Sequence, residues 1–144
     1  MSENNAVMDT VIECVSICLD MDREAISSGD KLIDDLGADS LDMLDLIFQL
    51  EQRFAIRITP GDMEKRLAAE LAPKPMEIDG LYTPEALEEL RKAMPEVPEE
   101  ELSPGLQQGQ LPRLFRVQTM ANLVSRLIEE QRAVRAAAEG DQNE

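Results

Sequence analysis

Apolar residues near the start of the chain recur at the spacing of an amphipathic helix. Between Val7 and Cys18 they fall three or four positions apart, so their side chains would share one helix face. A polar, glycine-containing stretch at 27–30 interrupts the pattern and predicts a loop. The sequence therefore predicts a first helix that buries a stripe of small aliphatic side chains and ends before this loop.

A second and wider apolar face begins near Ser40. Asp39 and Ser40 are both residue types that cap a helix start, and the acids at 42 and 45 lie where the helix dipole favours negative charge. We therefore predict a helix that begins near Ser40 and buries a wide face. The apolar residues of that face are Leu41, Leu44, Leu46, Ile47, Leu50 and Phe54.

All eight prolines fall between residues 60 and 112. Because proline interrupts helices, they separate two helical arms, and Pro60 is expected to end the first. Apolar residues at helical spacing near 63–71 and 87–94 predict two short helices in the middle segment. The polar stretch 99–112 is expected to form a loop.

The last arm is predicted to be one long helix, beginning near Val117 and including Val124. Its apolar pattern fades beyond Arg132, so 133–144 is expected to be a helix end and a frayed tail. The predicted fold class is all-α. We expect a single domain over 1–144, a small helical bundle with an insertion at 61–112 before its last helix.

Composition excludes several classes of function. The chain has 30 acidic and 14 basic residues, for a formal charge of -16. This charge opposes binding to nucleic acid and to anionic membranes. The chain has no histidine, which removes Ser-His and Cys-His catalysis, so an enzyme is not expected. No apolar run reaches the roughly 18 residues of a membrane span, and no basic stretch opens the chain as a secretory signal would.

The cysteines and the acidic residues do not indicate a metal site. Cys14 and Cys18 lie four residues apart, which on a helix is a poor geometry for a disulfide, and further ligands for zinc are missing. The acids between 30 and 42 do not reproduce a calcium-binding loop. We expect reduced cysteines, no bound metal and a cytoplasmic location.

The most informative run is Gly-Ala-Asp-Ser-Leu-Asp at 37–42. It resembles the prosthetic-group attachment site of the acyl carrier protein family, in which the same run opens the second helix. The similarity extends from the first helix through Ile58 and resumes weakly in the last helix. The usual family member has nothing as long as 61–112.

This resemblance implies that Ser40 carries 4'-phosphopantetheine, transferred from coenzyme A by a phosphopantetheinyl transferase, with Gly37, Asp39 and Leu41 flanking the site. The protein would hold acyl groups as thioesters on that arm and would have no catalytic residues of its own. A serine at a helix start suits this role, because backbone N–H groups there favour a phosphate.

The resemblance also implies a surface where acyl-loading and acyl-using enzymes dock through basic patches. The acidic residues of the second helix would form this surface, and their ordinary interpretation is a solvated helix face. Gln52 and Arg53 stand where the family more often has acids, so we expect a specialised fatty-acid or lipid pathway with dedicated partners. The predicted docking residues are Asp39, Asp42, Asp45, Phe48 and Glu51.

In the family, the interior of the bundle can open to accept an acyl chain. The ordinary interpretation of apolar side chains in such an interior is a packed core. The insertion at 61–112 is expected to fold back over the bundle and to enlarge or cover this interior. The candidate acyl-pocket residues are Leu46, Leu50, Phe54, Ile58 and Val124.

Two alternatives remain open. A polyketide or aminoacyl carrier would share the fold and the modified serine, although the run Gly-Ala-Asp before Ser40 favours a fatty-acyl carrier. A protein of another class, an unmodified acidic helical adaptor, would only bind a basic partner. In each case we expect a monomer.

Overall fold

The computed structural model describes residues 2–59 and 61–142. The predicted break at Pro60 and the last two residues of the predicted tail lie outside this range. Within it, the all-α prediction is confirmed by five α-helices and a small antiparallel hairpin. The helices are α1 Ser2–Leu19, α2 Ser40–Phe54, α3 Asp62–Leu71, α4 Pro84–Ala93 and α5 Val117–Gln142, and the strands are β1 Glu77–Ile78 and β2 Leu81–Tyr82.

Helices α1, α2 and α5 form the main bundle. Their apolar faces meet in one core, to which Leu32 from the connection between α1 and α2 also contributes. These side chains recur at helical spacing, so each helix buries a continuous stripe. The fully buried members include Val11, Cys14, Val15, Leu32, Leu50, Val117 and Val124.

Helices α2 and α5 run side by side in the same direction. Near their starts, the backbone N–H of Leu32 donates to the carbonyl of Phe115, with 3.1 Å between nitrogen and oxygen. At the far end of α2, the carbonyl of Ala55 accepts the side-chain amide of Gln131, near the middle of α5, at 3.1 Å. The beginning of α5 therefore lies at the same end of the bundle as Ser40.

The middle segment builds a second apolar cluster of its own, in which α3 packs against α4. Phe115 packs against this cluster and against the main core. Ion pairs also join the two parts, and the guanidinium of Arg66 reaches both carboxylate oxygens of Glu130 on α5 at 2.6 Å. The buried members of the second cluster include Leu67, Leu71, Tyr82, Leu87, Leu90, Met94, Leu102 and Leu111.

The stretch 99–112, expected to be a loop, contains short 3-10 helices at Glu99–Glu101 and Gln108–Leu114. Leu102 and Leu111 are fully buried there, so two isolated apolar residues are enough to pack this segment down. Helix α5 continues to Gln142, through most of the segment predicted as a helix end and tail. Its residues 133–138 are exposed, which explains why the apolar spacing fades. None of the helices in the described ranges is long and apolar enough to cross a membrane.

Candidate functional site

Ser40 is the first residue of α2 and is exposed. The residue that caps the helix is Asp39, whose carboxylate accepts the backbone N–H of Asp42 at 2.8 Å. In return the carboxylate of Asp42 accepts the backbone N–H of Asp39 at 3.0 Å, which completes a capping box. The sequence allowed either Asp39 or Ser40 as the cap, and the structure assigns the role to Asp39. The Ser40 hydroxyl is left without a capping role.

The first turn of α2 offers hydrogen-bond donors beside this hydroxyl. The capping box engages the N–H groups of Asp39 and Asp42, while those of Ser40 and Leu41 belong to the first turn and have no acceptor within the helix. An oxyanion at Ser40 would meet these two donors and the positive end of the helix dipole. This donor set fits a phosphate ester on the serine oxygen.

The loop before Ser40 is fixed by its own backbone. The N–H of Gly37 donates to the carbonyl of Ile33 at 3.1 Å, and that of Ala38 donates to Leu32 at 2.9 Å. Gly37 has a φ of +79°, a conformation that glycine adopts without the strain of a side chain. The loop therefore places Ser40 at a defined point on the surface.

An exposed apolar stripe runs along α2 from the residue next to Ser40. Leu41 is 74% exposed, and Leu44 and Phe48 are each 59% exposed. The expectation that Leu41 and Leu44 belong to the buried face was wrong, because the core reaches only the opposite side of α2. Leu44 was not among the predicted site residues, although the spacing of 41, 44 and 48 beside Ser40 would have indicated it.

The predicted docking acids have different surroundings. Asp39 and Asp45 are exposed and Asp42 is half-buried. Glu51 is also half-buried, and its carboxylate accepts the backbone N–H of Ile58 at 2.8 Å. The structure thus groups Asp39, Asp42 and Asp45 near the start of α2 and gives Glu51 a bond within the fold.

Arg53, the basic residue that departs from the family pattern, forms an ion pair with Glu13 of α1 at 2.8 Å. Both side chains are about 40% exposed (40% and 41%). The arginine therefore neutralises an acid of its own bundle, and the far end of α2 presents less charge to a partner than the sequence suggests.

A cavity of about 200 Å³ lies between α2, the start of α3 and α5. Its wall is largely apolar, and it begins at Met43, one turn along α2 from Ser40. The sequence missed most of these residues, since they come from distant segments. The principal lining side chains are Met43, Ile47, Met63, Phe115, Leu123 and Leu127.

Of the predicted acyl-pocket residues, Ile58 lines this cavity. Leu46, Leu50 and Val124 are buried in the core of the main bundle. Phe54 borders a separate cleft of about 300 Å³ near the far end of α2. The predicted set is therefore divided between the cavity wall, the core and another surface.

Neither cysteine is placed to act as a nucleophile. Burial raises the pKa of the Cys14 thiol. Burial, and then a hydrogen bond to Asp45, raise the pKa of Cys18 to about 12. Both thiols are therefore protonated near neutral pH, and a protonated thiol is a poor nucleophile. Across the described parts of the chain, no group of three or more acidic, Cys or His side chains is placed to hold a metal ion.

Residues 9–72, which include Ser40, match the family described as "Phosphopantetheine attachment site". The chain is 42% identical over 65 residues to an acyl carrier protein of Campylobacter jejuni subsp. doylei, covering 45% of this chain and 84% of the relative. It is 37% identical over 65 residues to an acyl carrier protein of Thermotoga maritima, covering 45% and 80%. No solved structure gives a significant match.

Proposed function

Since this chain belongs to the acyl carrier protein family, we propose that Ser40 is the residue that carries its prosthetic group and that the chain serves a specialised fatty-acid or lipid pathway. Members of this family are carriers, not enzymes, and hold 4'-phosphopantetheine covalently. The observation that carries the assignment is the position of Ser40, exposed at the start of α2 while Asp39 caps the helix.

In the proposed modification, the Ser40 hydroxyl loses its proton and its oxygen bonds to the phosphorus of the phosphopantetheine part of coenzyme A. The bond from that phosphorus to the bridging oxygen of the diphosphate breaks, the adenosine bisphosphate part of coenzyme A leaves with that oxygen, and the serine proton passes to solvent. When bound, the prosthetic group supplies the thiol that holds acyl groups as thioesters. The chain itself keeps the serine oxygen in solvent within reach of a transferase, and offers the N–H groups of Ser40 and Leu41 to the phosphate.

We further propose that partner enzymes dock on the start of α2. The exposed stripe of Leu41, Leu44 and Phe48 supplies apolar contact area, and Asp45 supplies exposed negative charge beside it. A partner with an apolar patch ringed by Lys or Arg would be complementary to this surface. Because Glu51 and Arg53 are engaged within the fold, dedicated partners fit better than enzymes that require an acidic face along all of α2.

The location we propose is the cytoplasm, where thiols remain reduced, in keeping with the two free cysteines. We also propose that the carrier is a monomer. Size-exclusion chromatography with light scattering would report a dimer directly.

The test of Ser40 is intact mass spectrometry after incubation with coenzyme A and a broad-specificity phosphopantetheinyl transferase. The wild type should gain one phosphopantetheinyl group, and Ser40→Ala should gain none. Ser28→Ala is the matched control, because Ser28 is an exposed serine in the loop before α2 and its loss should change nothing. No mass gain in the wild type would favour the unmodified adaptor, and a gain in Ser40→Ala would place the arm elsewhere.

A further inference from the structure

Leu127 of α5 separates two spaces that would otherwise join. On one side it lines the apolar cavity of about 200 Å³. On the other it lines an open cleft of about 440 Å³, together with Arg57, Val134 and Arg135. Leu127 is buried and belongs to the main core, so this partition is a fixed part of the fold.

The direction of the cavity follows from the parallel course of α2 and α5. Met43 on α2 and Phe115 at the entry to α5 line it at the Ser40 end. Ile58 and Leu127 line it at the opposite end. The eight-residue distance from Thr119 to Leu127 corresponds to about 12 Å along a helix. An acyl chain that enters the cavity beside Ser40 therefore meets Leu127 last.

We propose that Leu127 sets the longest acyl chain that this carrier encloses, and that this is a medium-length chain of about six to eight carbons. The inference rests on the proposed function, since the chain must be attached through Ser40. A cavity of about 200 Å³ holds roughly seven groups of the size of a water molecule, each of which takes about 30 Å³ in the liquid, and a methylene group is of similar size.

Leu127 cannot easily give way to a longer chain. Ile58 beside it is held through its backbone N–H by the carboxylate of Glu51 at 2.8 Å. The cleft beyond Leu127 is open to solvent, and the charged side chains of Arg57 and Glu130 stand among its apolar walls. An acyl chain that grew past Leu127 would leave the cavity for a cleft that is open to solvent, where less of its apolar surface is buried.

The other apolar cleft is less suited to the chain. It lies near Phe54 and Thr10, and Phe54 is fourteen residues along α2 from Ser40, about 21 Å by the rise of a helix. This cleft lies between α1, α5 and the end of α2, away from Ser40. The cavity that ends at Leu127 begins one turn from Ser40.

The test uses the full-length carrier, loaded on Ser40 with saturated acyl chains shorter and longer than about eight carbons, with loading confirmed by intact mass. The melting temperature of the wild type should rise with chain length and stop rising near this length. In Leu127→Ala the rise should continue for about two to four more carbons, because the space vacated by the Leu127 side chain extends the cavity toward the cleft. Leu127→Val, a milder truncation, should shift the limit in the same direction if the alanine variant folds poorly.

Leu123→Ala is the matched control. Leu123 lines the same cavity one turn earlier on α5 but does not border the cleft beyond it. Its truncation should widen the cavity without extending it toward the cleft, so the limiting chain length should rise by fewer carbons than in Leu127→Ala. Equal limits for the loaded wild type and both Leu127 variants would overturn this inference alone. Failure of Ser40 to load at all would overturn the proposed function and this inference with it.

Discussion

The carboxylate of Glu51 accepts a hydrogen bond from the backbone N–H of Ile58, with 2.8 Å between oxygen and nitrogen. Glu51 lies in the last turn of α2, and Ala55 ends the helix with a φ of 54°. The bond therefore holds the chain where it turns back after α2. A residue that the sequence predicts as a docking acid therefore also holds Ile58, which lines the cavity.

We expect Glu51→Ala to lower the free energy of unfolding by about 1.5–3 kcal/mol, the usual range for a hydrogen bond to a charged group. Gln52→Ala is the control, since it removes an exposed polar side chain next to Glu51 on the same helix and should change the value by less than about 0.5 kcal/mol. Denaturation in urea would measure both. Equal losses for the two variants would mean that the Glu51 bond does not contribute to stability.

Charge reversal at Asp45 should slow acyl loading by a partner enzyme. Asp45 is exposed beside the apolar stripe, and exposed charges act over about 10 Å at 0.1 M salt. The rate for Asp45→Lys should therefore fall most at low salt and approach that of the wild type at high salt. Glu88→Lys on α4 makes the same charge change away from α2. A similar loss in that control would show that net charge, and not the face of α2, controls the rate.

Substitution at the start of α2 should separate modification from stability. Asp39→Ala removes the cap and should lower the free energy of unfolding by about 1 kcal/mol. Ser40→Ala leaves the capping box intact and should change the free energy of unfolding by less than about 0.5 kcal/mol. Both variants are compared by denaturation and by uptake of the prosthetic group. If Ser40→Ala were the more destabilised of the two, the capping assignment would be wrong.

The sequence predicted the elements of the main bundle because each one buries a stripe at helical spacing. It also predicted that a helix begins near Ser40, because the capping residues and the apolar face that follows are continuous in the chain. It did not predict that Leu41 and Leu44 are exposed. The apolar positions of α2 cover more than one face, and only the placement of α1 and α5 decides which side is buried.

The cavity could not be predicted for a different reason. Met63 and Phe115 are far apart in the sequence, and they line the same space only because α3 and the start of α5 meet beside α2. The parallel course of α2 and α5 depends on backbone bonds such as that from Leu32 to Phe115, which no side-chain pattern reveals. Leu46 and Val124 were assigned to the pocket because the resemblance implies an interior that accepts an acyl chain, and their periodicity alone does not distinguish a cavity wall from a packed core.

Acid should weaken the contact between the middle segment and the bundle through Glu101. Its carboxylate lies 2.9 Å from Lys31 and 2.7 Å from Arg116. Burial acts to raise the pKa of Glu101, but the hydrogen bonds from Lys31 and Arg116 outweigh it and lower the pKa below the ordinary value of 4.5. A lowered pKa in the folded state means that the stabilisation is present above pH 4.5 and is lost as the pH falls through the folded value.

The free energy of unfolding of the wild type should therefore decrease as the pH is lowered from 4.5 to the lower pKa of Glu101. The free energy of unfolding of Glu101→Gln should decrease less over the same interval. Glu99→Gln is the control, because Glu99 is an exposed acid two residues away. Its curve should run parallel to that of the wild type. If the Glu101→Gln curve also ran parallel to the wild type, the ion pairs of Glu101 would not be the cause of the acid sensitivity.

The two apolar clusters should respond differently to the same truncation. Leu90 is 1% exposed in the cluster of the middle segment, and Leu50 is fully buried in the main core. Each leucine-to-alanine change should destabilise the cluster that holds the side chain by about 2–5 kcal/mol. Because α3 and α4 pack chiefly on each other, Leu90→Ala should lower hydrogen-exchange protection in α3 and α4 and leave α1 and α2 protected. Leu50→Ala should lower protection in α1, α2 and α5. A uniform loss of protection in Leu90→Ala would instead mean that Phe115 and the ion pairs join the clusters into one cooperative unit.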